Sequence, residues 1–102
     1  MAKRRPTGEW DTFAITLGTN IQRRRVELGL TQEDVAYAAG ITRYTFQKFE
    51  KGESMPGTPS NPSLRNIMAI AQVLGVRLDE LVPGSWPDLR AGSSLTTAPE
   101  TR

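Results

Sequence analysis

The stretch QEDVAYAAGITRYTFQKFEK, Gln32 to Lys51, carries the reading on which the rest depends. Thr31 precedes it as a capping hydroxyl, and Glu33 and Asp34 place acids where a helix dipole is positive. Ala36 is the fifth residue of the stretch, small enough for a second helix to cross closely. Gly40, the ninth, suits the left-handed conformation that ends a helix. Ile41 and Thr42 follow, with Thr42 as the next cap, and Phe46 and Phe49 recur on one side of a second helix. Two short helices, joined by a tight glycine turn and crossing at about 90–120°, satisfy all of these positions together.

Outward from this pair the apolar spacing stays helical. Phe13, Leu17, Ile21 and Leu28 predict a first helix over 11–28, with Asp11 as its cap and Gly29 after its end. Leu64, Ile67, Ala71 and Leu74 predict a fourth helix beginning near Ser63 and ending at Gly75. Leu78, Leu81 and Val82 predict a short fifth, over 78–82. Residues 53–62 hold three prolines and a glycine and read as a loop. No segment alternates with period two for long enough to predict a strand. The expected fold is all-α, five helices over 11–82, between a basic arm (1–10) and a Pro/Gly/Ser/Thr-rich tail (83–102), both loosely ordered.

Composition narrows the function. The chain has 102 residues, 37% hydrophobic and 24% charged, which fits one small domain. It has no Cys and no His, which removes disulfides, thiolate metal sites, imidazole ligands and the common nucleophile–base pairs. No Gly-rich phosphate loop or metal-spaced acid cluster is visible, so no enzyme, metal or cofactor is expected. No apolar run approaches a membrane span, and no export segment follows the basic start. A cytoplasmic protein is the expectation. Net charge is +2, and residues 1–65 hold ten Lys/Arg against seven Asp/Glu, a mild bias toward an anionic partner.

Helical rotation locates that partner's side. At about 100° per residue, with Phe46 inward, Phe49 falls about 60° to one side and Glu50 about 40° to the other. Tyr44, Gln47 and Lys48 then point outward, flanked by Arg43 and Thr45. These side chains can hydrogen-bond base edges, and a helix fits the major groove, which distinguishes all four base pairs. An ordinary solvated face is the competing reading. Glu50, turned toward the interior, needs a cation, and Arg25 near the end of helix 1 is placed to supply it; a solvated Glu50 facing Lys51 or Lys48 is the competing reading.

The chain resembles the Cro/repressor-type helix-turn-helix family (XRE-like, with a lambda-repressor-like fold) over roughly 13–82. The resemblance rests on Arg25 to Ala36, Gly40-Ile41-Thr42, Phe49 to Gly52, Pro62-Ser63-Leu64, Ala71 to Val76 and Leu78 to Leu81. It implies a DNA-binding transcriptional regulator, a repressor by expectation, working as a homodimer on double-stranded DNA. It implies base reading by Arg43, Tyr44, Gln47 and Lys48. It also implies that Gln32 contacts a phosphate through its side chain and backbone N–H. Thr31, Thr42, Thr45, Arg23 and Arg24 complete the expected phosphate set, and Arg65 and Asn66 are weaker candidates. The family's structural ion pair maps onto Arg25 and Glu50. Three features depart from the pattern: the long 53–62 loop, Phe46 in place of a β-branched aliphatic, and Arg77 where a capping Ser or Asp is usual. In relatives the region of that loop makes dimer or backbone contacts, and here it holds no cation.

Two rival readings remain open. One is an antitoxin that neutralises a toxin through the tail from 83 onward and represses its own operon. The other is a helical interaction module without DNA binding. Lys3-Arg4-Arg5 is a candidate DNA-following arm, while Trp10, Trp86 and Leu89 are candidates for core extension or a partner surface.

Overall fold

The computed structural model describes residues 9–90. Its order is α1 (Glu9–Glu27), α2 (Gln32–Ala39), α3 (Arg43–Lys51), β1 (Glu53–Met55), β2 (Thr58–Pro59), α4 (Leu64–Leu74) and α5 (Leu78–Leu81). Five helices enclose one core, in which Phe46, Ile21, Ile70, Leu74, Leu81 and Val35 are essentially inaccessible to water. The Lys3-Arg4-Arg5 arm and residues 91–102 lie outside the described residues. No described helix is long and apolar enough to cross a membrane.

The inner helix ends follow local chemistry. Thr31 caps α2 by accepting the Asp34 N–H at 3.0 Å, and Asp34 in return accepts the Thr31 N–H at 2.9 Å. Thr42 and Ser63 cap α3 and α4 in the same way, accepting from the N–H groups of Thr45 and Asn66. At Arg77 the side chain makes no cap; the Glu80 carboxylate takes the Arg77 N–H instead, at 2.7 Å.

Four expectations need correction. Helix α1 starts at Glu9, so Asp11 is a buried first-turn residue and not the cap, and residues 9 and 10 belong to the helix and not the arm. Trp10 draws the chain in, because its indole N–H donates to the Ser60 carbonyl at 3.1 Å and its ring stacks on Phe13 at 5.3 Å. Leu28 is not part of the buried stripe: α1 ends at Glu27, Gly29 turns the chain at φ 72°, and Leu30 packs on the core instead. Leu64 is 66% exposed, because no element among the described residues covers the first turn of α4; the stripe begins at Ile67 and takes in Ile70.

The fourth correction is the loop. Residues 53–59 form a two-stranded antiparallel hairpin, with Glu53 opposite Pro59 and Met55 opposite Thr58. Pro56 and Gly57 make its turn; proline supplies the fixed φ of the first corner, and glycine the φ of 80° at the second. Gly52 fastens it to α3. This residue caps α3 at φ 78°, accepts the Ser60 N–H at 2.9 Å, and leaves no room for a side chain against the Ile15 backbone. The tail residues 83–90 have no regular structure, yet the Asp88 N–H reaches the Glu9 carboxylate at 3.2 Å.

Candidate nucleic-acid interface

Helices α2 and α3 set the site. Gly40, at φ 76°, turns the chain between them, and the Ile41 N–H returns to the Ala36 carbonyl at 3.0 Å. Phe46 and Phe49 anchor α3 from beneath. Its far side consequently faces water: Arg43, Tyr44 and Gln47 are exposed, Tyr44 to 67%. Lys48 is half-buried because its ammonium lies 4.2 Å from the centre of the Tyr44 ring, a cation–π contact that holds both side chains on the same edge.

Behind this face lies a polar network. Arg25 Nε donates to Glu50 Oε2 at 2.6 Å, and Arg25 Nη2 to Glu50 Oε1 at 3.2 Å. Both side chains are largely withdrawn from water, at 12% and 5% exposure. Arg25 Nη1 also donates to the Leu30 carbonyl at 2.9 Å. The Gln32 side-chain amide donates to Glu50 Oε1, also at 2.9 Å. Glu50 thus ties the end of α1, the start of α2 and the end of α3 to one carboxylate. The Gln32 link was absent from the sequence reading, because a separation of 18 residues leaves no periodic trace.

The caps have a second consequence. Thr42 donates its hydroxyl hydrogen to Thr45 Oγ1 at 3.0 Å, which leaves the Thr45 hydroxyl hydrogen to point elsewhere. Asp34 sits at the first turn of α2, and the Thr31 N–H it accepts holds its carboxyl below the usual carboxylate range.

Arg23 and Arg24 do not gather with this face. Arg24 Nε donates to the Leu74 carbonyl at 3.1 Å, and Arg24 also pairs with Glu27 at 3.5 Å. Arg23 bonds to Asn20, whose own amide donates to the Leu81 carbonyl. Both are engaged along the α1 side that meets the ends of α4 and α5. Arg65 lies on the exposed first turn of α4 and bonds weakly to Asn66. No cluster of three metal-ligating side chains occurs among the described residues.

The hairpin adds a wall that the sequence did not disclose. A groove of about 300 Å³ runs between α3 and β1, lined by Tyr44, Gln47, Lys48 and Lys51 on one side and Glu53, Ser54, Met55 and Pro56 on the other.

Two short helices joined by a tight glycine turn, the second with a polar, solvent-facing side, define a helix-turn-helix domain. The chain belongs to the helix-turn-helix family of the XRE-like type, whose family model matches residues 21–81. An uncharacterized HTH-type transcriptional regulator of Archaeoglobus fulgidus is 38% identical over 63 residues, spanning 62% of this chain and 81% of that protein. Among solved structures, the restriction-modification controller protein C.AhdI of Aeromonas hydrophila is 29% identical. Its TM-score is 0.58, and the match covers 67% of this chain and 94% of that one. SinR of Bacillus subtilis, solved in complex with DNA as a master regulator for biofilm formation, is 25% identical with a TM-score of 0.54. That match covers 64% of this chain and 95% of SinR.

Proposed function

We propose that this protein is a sequence-specific DNA-binding transcriptional regulator acting as a repressor, with α3 in the major groove. The carrying observation is the solvent-facing set Arg43, Tyr44 and Gln47, with Lys48 braced against Tyr44, on a helix whose other side is anchored by Phe46 and Phe49. Arg43 presents a forked cation and Gln47 an amide, and each can pair with two atoms of a purine edge. Restriction control by C.AhdI and DNA binding by SinR support the same class of activity here.

Phosphate contacts fall to the neighbouring helix starts. The N–H groups opening α2 offer donors and a positive dipole end to an anion. Gln32 adds its amide: one hydrogen goes to Glu50, which orients the group, and the second remains for a phosphate oxygen. Thr31 and Thr45 supply hydroxyl hydrogens at the two caps, and Thr42, whose own hydrogen goes to Thr45 Oγ1, orients the second of them. Arg23 and Arg24 stand apart from this set: Arg23 bonds to Asn20 within α1, and Arg24 to Glu27 and the Leu74 carbonyl. Function as a homodimer requires two half-sites about 34 Å apart, or a multiple of that turn. Leu64 and Met68, exposed one turn apart on α4, are the candidate dimer ridge.

In-vitro selection from random duplexes tests the reading, followed by affinity measurements on the selected site. Gln47→Ala should cost about 1–3 kcal/mol on that site and relax preference at one base position. Gln32→Ala should weaken every sequence alike. Equal loss on selected and random DNA for Gln47→Ala would refute base reading by α3.

A further inference from the structure

We infer that Met55, at the end of β1, is a specificity-determining residue that contacts the methyl group of a thymine in the bound site. The inference rests on the reading of α3 as the base-reading helix and extends it to an element outside the helix pair.

Met55 is 63% exposed and lines the same groove as Tyr44, Gln47 and Lys48. A duplex whose major groove receives α3 must therefore meet the hairpin as well. The hairpin is already rigid before DNA arrives. Its turn is preset by Pro56 and by Gly57 at φ 80°, and its far end is bound to α3 through the Ser60–Gly52 hydrogen bond. Trp10 faces it across an open cleft, and the indole N–H holds the Ser60 carbonyl just beyond β2. Little conformational entropy remains to be lost when the wall docks.

The chemistry selects the contact. Lys48 and Lys51 line the groove against a single acid, Glu53, so the surroundings of Met55 favour a polyanion. Within the major groove, base edges offer hydrogen-bond donors and acceptors, and the thymine C5 methyl is their apolar group. A thioether is only a weak acceptor for those polar atoms and cannot neutralise a phosphate. It can withdraw a methyl group from water, and its flexible, polarizable chain adapts to an irregular surface.

Uracil substitution reads this contact directly, since uracil differs from thymine by that methyl alone. On the site selected by the wild-type protein, each thymine is replaced in turn by uracil, and binding is measured for wild type, Met55→Ala and Met55→Leu. Wild type should lose about fourfold at one replaced thymine, the value of burying one such carbon. Met55→Ala should be indifferent to that replacement, and Met55→Leu should still sense it. Because Met55 is exposed, all three proteins should unfold at the same urea concentration. If Met55→Ala senses every methyl as wild type does, the inference fails while α3 reading stands. A uniform loss with unchanged uracil response assigns Met55 to the sugar–phosphate strand and overturns base contact. A selected site without thymine opposite the hairpin also overturns it. If Gln47→Ala leaves base preference intact, the α3 reading itself fails, and this inference with it.

Discussion

At the scale of single residues, Gly18 shows how closely the site depends on α1. A Cβ built there would lie 2.4 Å from the Glu50 carbonyl oxygen and 2.5 Å from that of Phe49. Both obstacles are backbone, so no rotamer change relieves them. In an exposed helix interior, glycine to alanine stabilises by about 1 kcal/mol. Here the sign reverses: Gly18→Ala should destabilise by about 1–3 kcal/mol, the usual cost of overpacking, as α1 and α3 are forced apart. Urea unfolding checks the sign, and a stabilised variant would show that the two helices can separate freely. The sequence held no sign of this, since a glycine between Leu17 and Thr19 looks like any weak point in a helix. Glu50 was more legible. Its rotation beside Phe46 placed a carboxylate toward the interior, and that demanded a cation at the distance where Arg25 stands in the structure. The third member, Gln32, was hidden because a polar residue opening a helix has sufficient reason to be there without a buried partner.

At the scale of elements, caps were legible and the hairpin was not. Thr31, Thr42 and Ser63 each announce a helix start through a side chain that must satisfy an N–H two or three residues on, a requirement visible in the sequence itself. Strands of three and two residues hold too few positions to display alternation, and the proline-rich stretch satisfied a loop equally well. The N-terminus of α1 failed for a different reason. Trp10 joins the helix because of Ser60, fifty residues away, and Asp11 resembled a cap when read alone. The Thr42 cap carries a prediction for the whole of α3. Its hydroxyl accepts the Thr45 N–H and donates to Thr45 Oγ1, both at 3.0 Å. Thr42→Ala should cost about 1 kcal/mol of stability, and Thr42→Ser should restore most of it. Calorimetric melting of the two variants measures the difference; equal losses would mean that the methyl group, and not the hydroxyl, serves the helix.

At the scale of the whole molecule, the composition sets the response to pH. A chain with no histidine and no cysteine has no side chain whose ordinary pKa lies between about 5 and 8. The groups that are displaced move away from that interval. The Arg90 side chain bonded to Asp88 brings its carboxyl down to about 2, and the Thr31 N–H lowers that of Asp34. A carboxylate with a depressed folded-state pKa binds its proton more readily when the chain is unfolded. Its contribution is therefore complete above the unfolded value, near 4, and disappears as pH falls through the folded one. Both groups are exposed, so solvent screening keeps each effect small. Stability should accordingly stay flat from about pH 5 to 8 and decline between about pH 4 and 2. Asp34→Asn and Asp88→Asn, made together, should reduce the slope of that decline and lower the neutral plateau slightly while keeping it flat. Urea midpoints at half-unit pH steps measure the curve. A steep change between pH 6 and 7 would contradict this account, because it would require a carboxyl group pushed far upward by burial, opposite in direction to the shifts of Asp34 and Asp88.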